Sequence, residues 1–126
     1  YWHAVMMQQG LPVAVHPEQP NRYNPLHADD YCRHIPYLLA AATPDATIVN
    51  WGGDQVISIE EWCEYISELT GFAATFELQA SAFGSLASNV SKLQSILGDE
   101  PVSKVDWKEG IHRMLQTTAP QWLKQT

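Results

Sequence analysis

The segment TIVNWGGDQVISIEEWCEYISELTG, residues 47–71, constrains the fold most, because it encodes a helix with both ends marked. Ser58 and Glu61 have the spacing of a capping box, in which each side chain accepts a hydrogen bond from the other residue's backbone N–H. Gly71 is the residue expected just beyond the last turn. Between them lies one apolar stripe of helical period, formed by Ile59, Trp62, Cys63, Ile66 and Leu69. These signals predict a helix over residues 59–70.

The residues before this helix predict a short strand that ends at a glycine pair. Three β-branched residues open residues 47–51, and this stretch is apolar on both faces, as in a buried strand of a larger sheet. Gly52 and Gly53 do not match a dinucleotide fingerprint, which needs G-x-G-x-x-G leading directly into a helix, and no P-loop follows. Asp54 would place a negative charge beside a bound phosphate. We therefore interpret the pair as a turn that needs positive φ.

Composition excludes several classes of partner. The chain has 126 residues, of which 45% are hydrophobic and 17% charged, as in a globular domain. No apolar run reaches the roughly 18 residues of a membrane span. The net charge of −7 disfavours nucleic acid and anionic membranes as partners. The chain begins without an initiator Met, so we expect a fragment of a longer protein.

The cysteines and histidines do not form a recognisable metal or disulfide pattern. Cys32 and Cys63 both occupy apolar-periodic positions and are not part of a C-x-x-C pair. We interpret them as reduced core residues of a cytoplasmic protein. No histidine pair has a ligand spacing, so no metal site is predicted.

Helical and strand-like segments alternate along the chain, which predicts an α/β fold with parallel strand pairs. The predicted helices cover residues 1–9, 30–42, 89–97 and 107–117 besides 59–70, and the predicted strands cover 13–15 and 73–78 besides 47–51. The proline- and asparagine-rich stretch 16–25 and the small-residue stretch 79–88 are predicted to be surface loops. Asp106 and Glu109 have the spacing of a second capping box.

The start of the predicted helix 30–42 contains the residues most easily mistaken for catalytic groups. Asp29 and Asp30 resemble a paired acid and base, but capping of the helix, with Asp29 as the N-cap, is the simpler interpretation. We expect His27 to hydrogen-bond within the same junction. The side chains expected to face inward are Tyr31, Ile35, Leu38 and Leu39.

Three segments resemble the C-terminal third of NAD(P)-dependent epimerases/dehydratases, the extended short-chain dehydrogenases. NPLHADDYCRHIPYLLAAA resembles their His-Val-Asp-Asp helix segment, and IVNWGGDQVISIEEWCEYISELTG their Tyr-Asn-Ile-Gly strand followed by a capped helix. SNVSKLQSILGDEPVSKVDWKEGIHRML is similar to their closing Ser-Lys and Glu-Gly-Leu segment. The three match in order and spacing over residues 24–115.

The resemblance implies that residues 1–126 are a single C-terminal, substrate-side subdomain whose dinucleotide-binding half is absent. The strand 47–51 and the helix 59–70 would pack on that missing N-terminal domain. The parent enzyme would use NAD or NADP, but neither the Gly-rich fingerprint nor the Tyr-x-x-x-Lys acid/base pair occurs here. We therefore expect no catalytic, cofactor-binding or metal-binding residue in this chain, and no activity from the chain alone.

The resemblance also assigns the substrate side to the loop 16–25, with Arg22, Tyr23, Asn24 and Phe83 as candidate substrate-binding residues. Arg22 lies five residues before His27, and the stretch before Lys92 lacks the family's Arg-x-Gly-Asp motif. A nucleotide sugar and a smaller carbonyl compound therefore both remain open as substrates. A non-catalytic dinucleotide-sensing relative and an independent small binding domain are the alternatives. The oligomeric state is not predicted.

Overall fold

The computed structural model describes residues 1–125 and contains, within that range, five α-helices and four short strands. In chain order they are α1 (Trp2–Gln8), β1 (Val13–Val15), β2 (Arg22–Tyr23), α2 (Ala28–Ala40), β3 (Ile57–Ser58), α3 (Ile59–Thr70), β4 (Phe76–Leu78), α4 (Ser91–Leu97) and α5 (Trp107–Thr118). A 3-10 turn at Pro120–Trp122 follows α5. All five predicted helices are present, with ends that differ by at most about two residues.

Two small sheets connect distant parts of the chain. β1 and β4 pair in parallel, with Val13 opposite Phe76 and Val15 opposite Leu78. β2 and β3 pair antiparallel, with Arg22 opposite Ser58. The predicted fold class, an α/β subdomain of short parallel strands and packed helices, is confirmed.

The main core lies between α1, α3, α5 and β1. Its buried members are Ala4, Met7, Val13, Val15, Ile59, Cys63, Ile66 and Leu115. The apolar stripe of α3 is therefore covered by this chain itself, and Cys63 is buried as predicted. Burial raises the pKa of the Cys63 thiol to about 12, so this group stays protonated at neutral pH.

Both predicted ends of α3 are confirmed. Ser58 Oγ accepts from the Glu61 N–H at 3.1 Å, and the Glu61 carboxylate accepts from the Ser58 N–H at 2.7 Å. These hydrogen bonds lower the pKa of Glu61 because they favour the ionised carboxylate. Gly71 ends the helix with φ of 81°, in the left-handed region.

The strand predicted at 47–51 is wrong. Within residues 1–125 no segment pairs with it, and the side chain of Ile48 is 83% exposed. A strand exists only when a neighbour completes its hydrogen bonds. The β-branched residues therefore indicate a local preference for extended backbone, but residues 1–125 supply no strand that pairs with this segment.

The explanation of Gly52 and Gly53 by positive φ is also wrong. Neither has a positive φ; the glycines that do are Gly10, Gly71 and Gly98. Instead, a Cβ at Gly53 would overlap the carbonyl oxygen of Pro25, and one at Gly52 would lie 2.8 Å from Asn24 Nδ2. Gly53 has no room for a side chain because the Pro25 carbonyl lies against it, and Gly52 is confined by the side chain and carbonyl of Asn24.

α2 is oriented opposite to the prediction. The residues expected inside are mostly outside: the exposed fractions are 37% for Tyr31, 44% for Ile35 and 71% for Leu39. Its fully buried residues are Asp30 and His34. Cys32, predicted to be in the core, is exposed as well. The apolar periodicity is real, but it marks a face that the described residues do not cover.

The capping roles at α2 and α5 differ from those predicted. His27, not Asp29, is the N-cap of α2: its Nδ1 accepts from the Asp29 N–H at 3.2 Å. At α5, Asp106 caps by accepting from the Lys108 N–H at 2.9 Å, and Glu109 pairs with Arg113 instead of closing a capping box. α5 begins where predicted and α2 begins two residues earlier; in each helix one acceptor side chain satisfies an orphan N–H.

Asp30 is neither a cap nor half of an acid/base pair. It is 1% exposed, and its carboxylate accepts from the backbone N–H groups of Lys104 and Val105, each at 3.1 Å. Arg33 donates to it at 2.7 Å. Burial opposes ionisation, but the bonds from Arg33 and the backbone outweigh it and lower the pKa of Asp30. The carboxylate therefore anchors the segment before α5 to α2.

Candidate functional site

The candidate site is centred on β2 and the loop 81–88, which lies against it. The Arg22 N–H donates to Ser85 Oγ at 2.9 Å, and the Leu86 N–H donates to the Arg22 carbonyl at 2.8 Å. Ser85 Oγ also donates to the Pro20 carbonyl at 3.0 Å. These bonds fix the loop to β2, so residues about sixty positions apart form one surface.

Tyr23 and Phe83 meet at this surface. The Tyr23 hydroxyl lies 2.9 Å from the Phe83 carbonyl and 3.0 Å from the Gly84 carbonyl, and its single proton is donated to this pair of acceptors. The Phe83 side chain is 88% exposed, and Leu86 beside it is 69% exposed. Tyr23 therefore positions the loop backbone, while Phe83 and Leu86 present apolar surface outward.

Among the described residues, the side chain of Arg22 makes no direct contact with an anionic group, although its charge is a minor cause that lowers the pKa of Glu61. Arg33 and Arg113 form ion pairs with Asp30 and Asp29, whereas within residues 1–125 the Arg22 guanidinium has neither an ion pair nor a hydrogen bond. Arg22 is exposed. A free guanidinium offers a planar set of donors that suits phosphate or carboxylate.

Asn24, the fourth candidate, has its side chain engaged inside the subdomain. Its amide nitrogen donates to the carbonyls of Gly53 and Ser88 at 2.9 and 3.2 Å, and its amide oxygen accepts from the Ser88 N–H at 3.1 Å. It thus joins β2, the glycine pair and the end of the loop 81–88. In this structure the Asn24 side chain stabilises the candidate site through these internal hydrogen bonds.

The sequence did not single out Asn21, which holds β2 in place. Asn21 is completely buried, and its side chain accepts from the His16 N–H at 2.7 Å and donates to the His16 carbonyl at 3.0 Å. Its own carbonyl accepts from the Ile59 N–H at 2.9 Å. Asparagine in a proline-rich loop normally indicates a turn, so only the burial distinguishes it.

A sizeable cavity lies elsewhere, between α1, α3, α5 and the start of α2. Its volume is about 890 Å³, and none of the four candidate residues lines it. Trp62, Ile66, Ile111 and Met114 supply an apolar wall. Its ionic side chains already have partners: Arg113 contacts Asp29 at 3.3 Å, and Asp106 accepts from Gln55 Nε2 at 2.8 Å. We therefore base the binding site on the free arginine and not on the cavity.

The chemistry available at the β2 surface is binding and orientation. In the described range, no group of three or more His, Cys, Asp or Glu side chains is arranged to hold a metal ion. Arg22 offers charge, and Phe83 and Leu86 offer apolar contact. No helix among these residues has the length and apolarity needed to cross a bilayer.

The structure has the fold of one part of epimerases that have been solved in complex with NAD. The predicted resemblance to extended short-chain dehydrogenases is therefore confirmed at the level of the fold. The UDP-glucuronic acid 4-epimerase from Bacillus cereus, solved in complex with NAD, has a TM-score of 0.64 and 18% identity, over 86% of this chain and 35% of that one. Its complex with UDP-glucuronic acid and NAD gives 0.67 and 19%, over 87% and 36%. MoeE5 in complex with UDP-glucuronic acid and NAD gives 0.69 and 19%, over 96% and 42%.

These likenesses cover only a part of the solved proteins. The chain spans between 35% and 42% of their length, as expected of one subdomain. No protein-family model matches the sequence, and no curated protein matches it significantly. The comparison therefore establishes the fold.

Proposed function

We propose that residues 1–126 form the substrate-side C-terminal subdomain of an NAD(P)-dependent epimerase, dehydratase or related reductase. Support comes from the fold, which NAD-containing epimerase structures share over about two fifths of their length. The sequence 1–126 contains neither a Gly-rich fingerprint nor a Tyr-x-x-x-Lys pair. On this proposal the cofactor and the acid/base pair belong to the rest of the parent chain, and the subdomain alone is inactive.

The observation that carries the substrate-binding part of this proposal is the Arg22 guanidinium, which has no ion pair or hydrogen bond within residues 1–125, on a surface built from β2 and the loop 81–88. Arg22 would bind the anionic part of a nucleotide sugar, and Phe83 would contact an apolar or planar part. Tyr23 and Asn24 would hold the two segments in register through their hydrogen bonds. Bound NAD or NADP would supply the hydride chemistry, while these residues orient the substrate toward it and so lower the entropic part of the barrier.

The exposed face of α2 and the segment 47–51 are the surface on which we place the dinucleotide-binding half. Five large apolar side chains are exposed there: Tyr31, Ile35, Leu39, Ile48 and Trp51. An apolar patch of this kind marks an interaction site in a folded protein. α3 is a poorer candidate than we expected, because its apolar stripe is already buried in the core. The two free thiols are compatible with a cytoplasmic location.

A small carbonyl compound is the second candidate substrate. Residues 79–88 contain no Lys or Arg, so Arg22 is the single cationic side chain of the surface built from β2 and the loop 81–88. Phe83 and Leu86 on the same surface are largely exposed. This composition favours a ligand with less negative charge than a nucleoside diphosphate. Binding of a nucleotide sugar should depend on Arg22 more strongly than binding of a small carbonyl compound.

Replacing Arg22 by Ala in the parent enzyme tests the proposal. For a nucleotide sugar we expect KM to rise with a smaller change in kcat, because the lost contact acts mainly in the ground state. Loss of one charge-assisted hydrogen bond should weaken substrate binding by about 1.5–3 kcal/mol. Arg113→Ala is the matched control, since it removes the same charge from α5 and should leave KM unchanged. Unchanged KM and kcat in both variants would refute the anion-binding role and leave the small carbonyl compound.

A further inference from the structure

The inner side of α2 contains an imidazole that is buried and bonded at both nitrogens. His34 is 0% exposed; its Nε2 lies 2.9 Å from the Val102 carbonyl, and its Nδ1 lies 3.0 Å from Trp51 Nε1. A carbonyl can only accept and an indole N–H can only donate. The ring must therefore be neutral, with its proton on Nε2 and its lone pair on Nδ1 directed at Trp51.

The same indole, in the segment 47–51, lies against the exposed apolar face of α2. Trp51 is 40% exposed and packs edge-on against Tyr31, with ring centroids 4.9 Å apart and planes at 67°. Its N–H edge is thus fixed inside the subdomain while part of its ring remains on the uncovered surface. Tryptophan and tyrosine are the side chains that most often dominate binding energy in interfaces.

We propose that Trp51 and Tyr31 anchor the surface that receives the dinucleotide-binding half of the parent chain, and that His34 is the residue that positions the Trp51 indole. The proposal rests on the proposed function, which supplies the occupant: the solved relatives in fold continue well beyond the 35–42% of their chains that this one covers. The indole matters because a ring held at one edge loses little side-chain entropy when the partner covers it.

Protonation of His34 would release the indole. A proton on Nδ1 would face the Trp51 N–H, leaving two donors opposed in a buried site without an acceptor. Burial is the main cause that lowers the pKa of His34, and Arg33 adds to it; the hydrogen bond to Val102 and the charge of Asp30 oppose it. Of the elements packed against α2, α4 carries Lys92, the segment 98–105 carries Asp99, Glu100 and Lys104, and residues 47–51 contain no ionisable side chain. Release is therefore expected only on the acid side of the usual histidine range.

The positioning role is tested by nitrogen-15 NMR of the tryptophan indole groups in the parent protein. In His34→Phe, which keeps a ring but loses both nitrogens, the Trp51 indole N–H should lose about tenfold in protection from hydrogen exchange, the effect of one hydrogen bond. His34→Gln retains an acceptor and a donor without a titrating group, so it should restore protection and abolish the acid-dependent shift of the Trp51 resonance. Trp62 is an internal control, because its Nε1 donates to His3 at 2.8 Å. A Trp51 resonance that behaves identically in wild type, His34→Phe and His34→Gln overturns the positioning role.

The anchoring role is tested by Trp51→Ala in the same protein. Hydrogen exchange of the α2 backbone should increase at least several-fold if the covering domain detaches, with no change at α5. Unchanged exchange at α2 overturns the anchor, and protection that disappears on dilution identifies a second copy as the occupant and also overturns it. Either result is distinguishable from failure of the proposed function, which is judged separately by KM in Arg22→Ala.

Discussion

Substitution of Gly53 by Ala tests the physical reason for the glycine pair. The added Cβ would overlap the Pro25 carbonyl oxygen, which belongs to the backbone and cannot rotate away. Relief requires the segment 24–25 to move, and that segment is bonded to Gly53 by two hydrogen bonds of 3.1 and 2.9 Å. Two hydrogen bonds at about 0.5–1.5 kcal/mol each, or overpacking at about 1–3 kcal/mol, set the scale of the destabilisation.

The expected net change follows after one opposing effect is subtracted. Alanine restricts the unfolded chain more than glycine does, which stabilises the folded state by about 0.4–1 kcal/mol. We therefore expect Gly53→Ala to lower the free energy of unfolding by about 1.3 kcal/mol, and by no more than about 2.6 kcal/mol. Urea denaturation of the protein containing this chain measures it, provided that the slope m is unchanged.

Gly84→Ala is the matched control for this experiment. A Cβ at Gly84 would lie 3.9 Å from His16 Cγ, an ordinary contact, and Gly84 has no positive φ. Only the unfolded-state effect remains there, so Gly84→Ala should leave the free energy of unfolding unchanged or raise it by up to about 1 kcal/mol. If Gly53→Ala were as mild as Gly84→Ala, the close approach of residues 24–25 would not be the reason for the glycine.

Three further outcomes are expected. Ser58→Ala should lower stability by roughly 1 kcal/mol, the usual effect of a lost N-cap, and an unchanged denaturation midpoint would show that Ser58 does not cap α3. The free energy of unfolding should be fully maintained above pH 6.5 and fall as pH drops below it. The reason is that burial lowers the pKa of His34 and His3, so the unfolded chain binds more protons; each can contribute at most about 1.4 kcal/mol per pH unit. Denaturation at pH 7.5, 6.0 and 5.0 with His34→Gln measures the share of His34, and an identical slope in that variant would contradict this assignment. Residues 1–126 alone should bind NAD and NADP weakly or not at all by calorimetry, and a stoichiometric micromolar complex would be inconsistent with a missing cofactor half.

The sequence predicted best what is decided locally. The start and end of α3 depend on Ser58, Glu61 and Gly71, whose capping hydrogen bonds are made only with neighbours in the chain, and all three behave as predicted. The loop 81–88 is different, because bonds from Ser85 and Leu86 to residues some sixty positions away determine where it lies. No local pattern encodes such bonds, so the resemblance identified Arg22 and Tyr23 but could not show how the loop is attached to them.

The reversed orientation of α2 links the fold to the proposed role. Apolar packing alone would turn Tyr31, Ile35 and Leu39 toward the core, because burial of apolar side chains is favourable and burial of a carboxylate is costly. Here Asp30 and His34 are buried, and every polar atom that they contribute has a partner. This polar network binds α2 to residues 100–105 in one orientation, which apolar packing alone would not favour. Its consequence is an apolar face presented outward, which the proposed dinucleotide-binding half would cover.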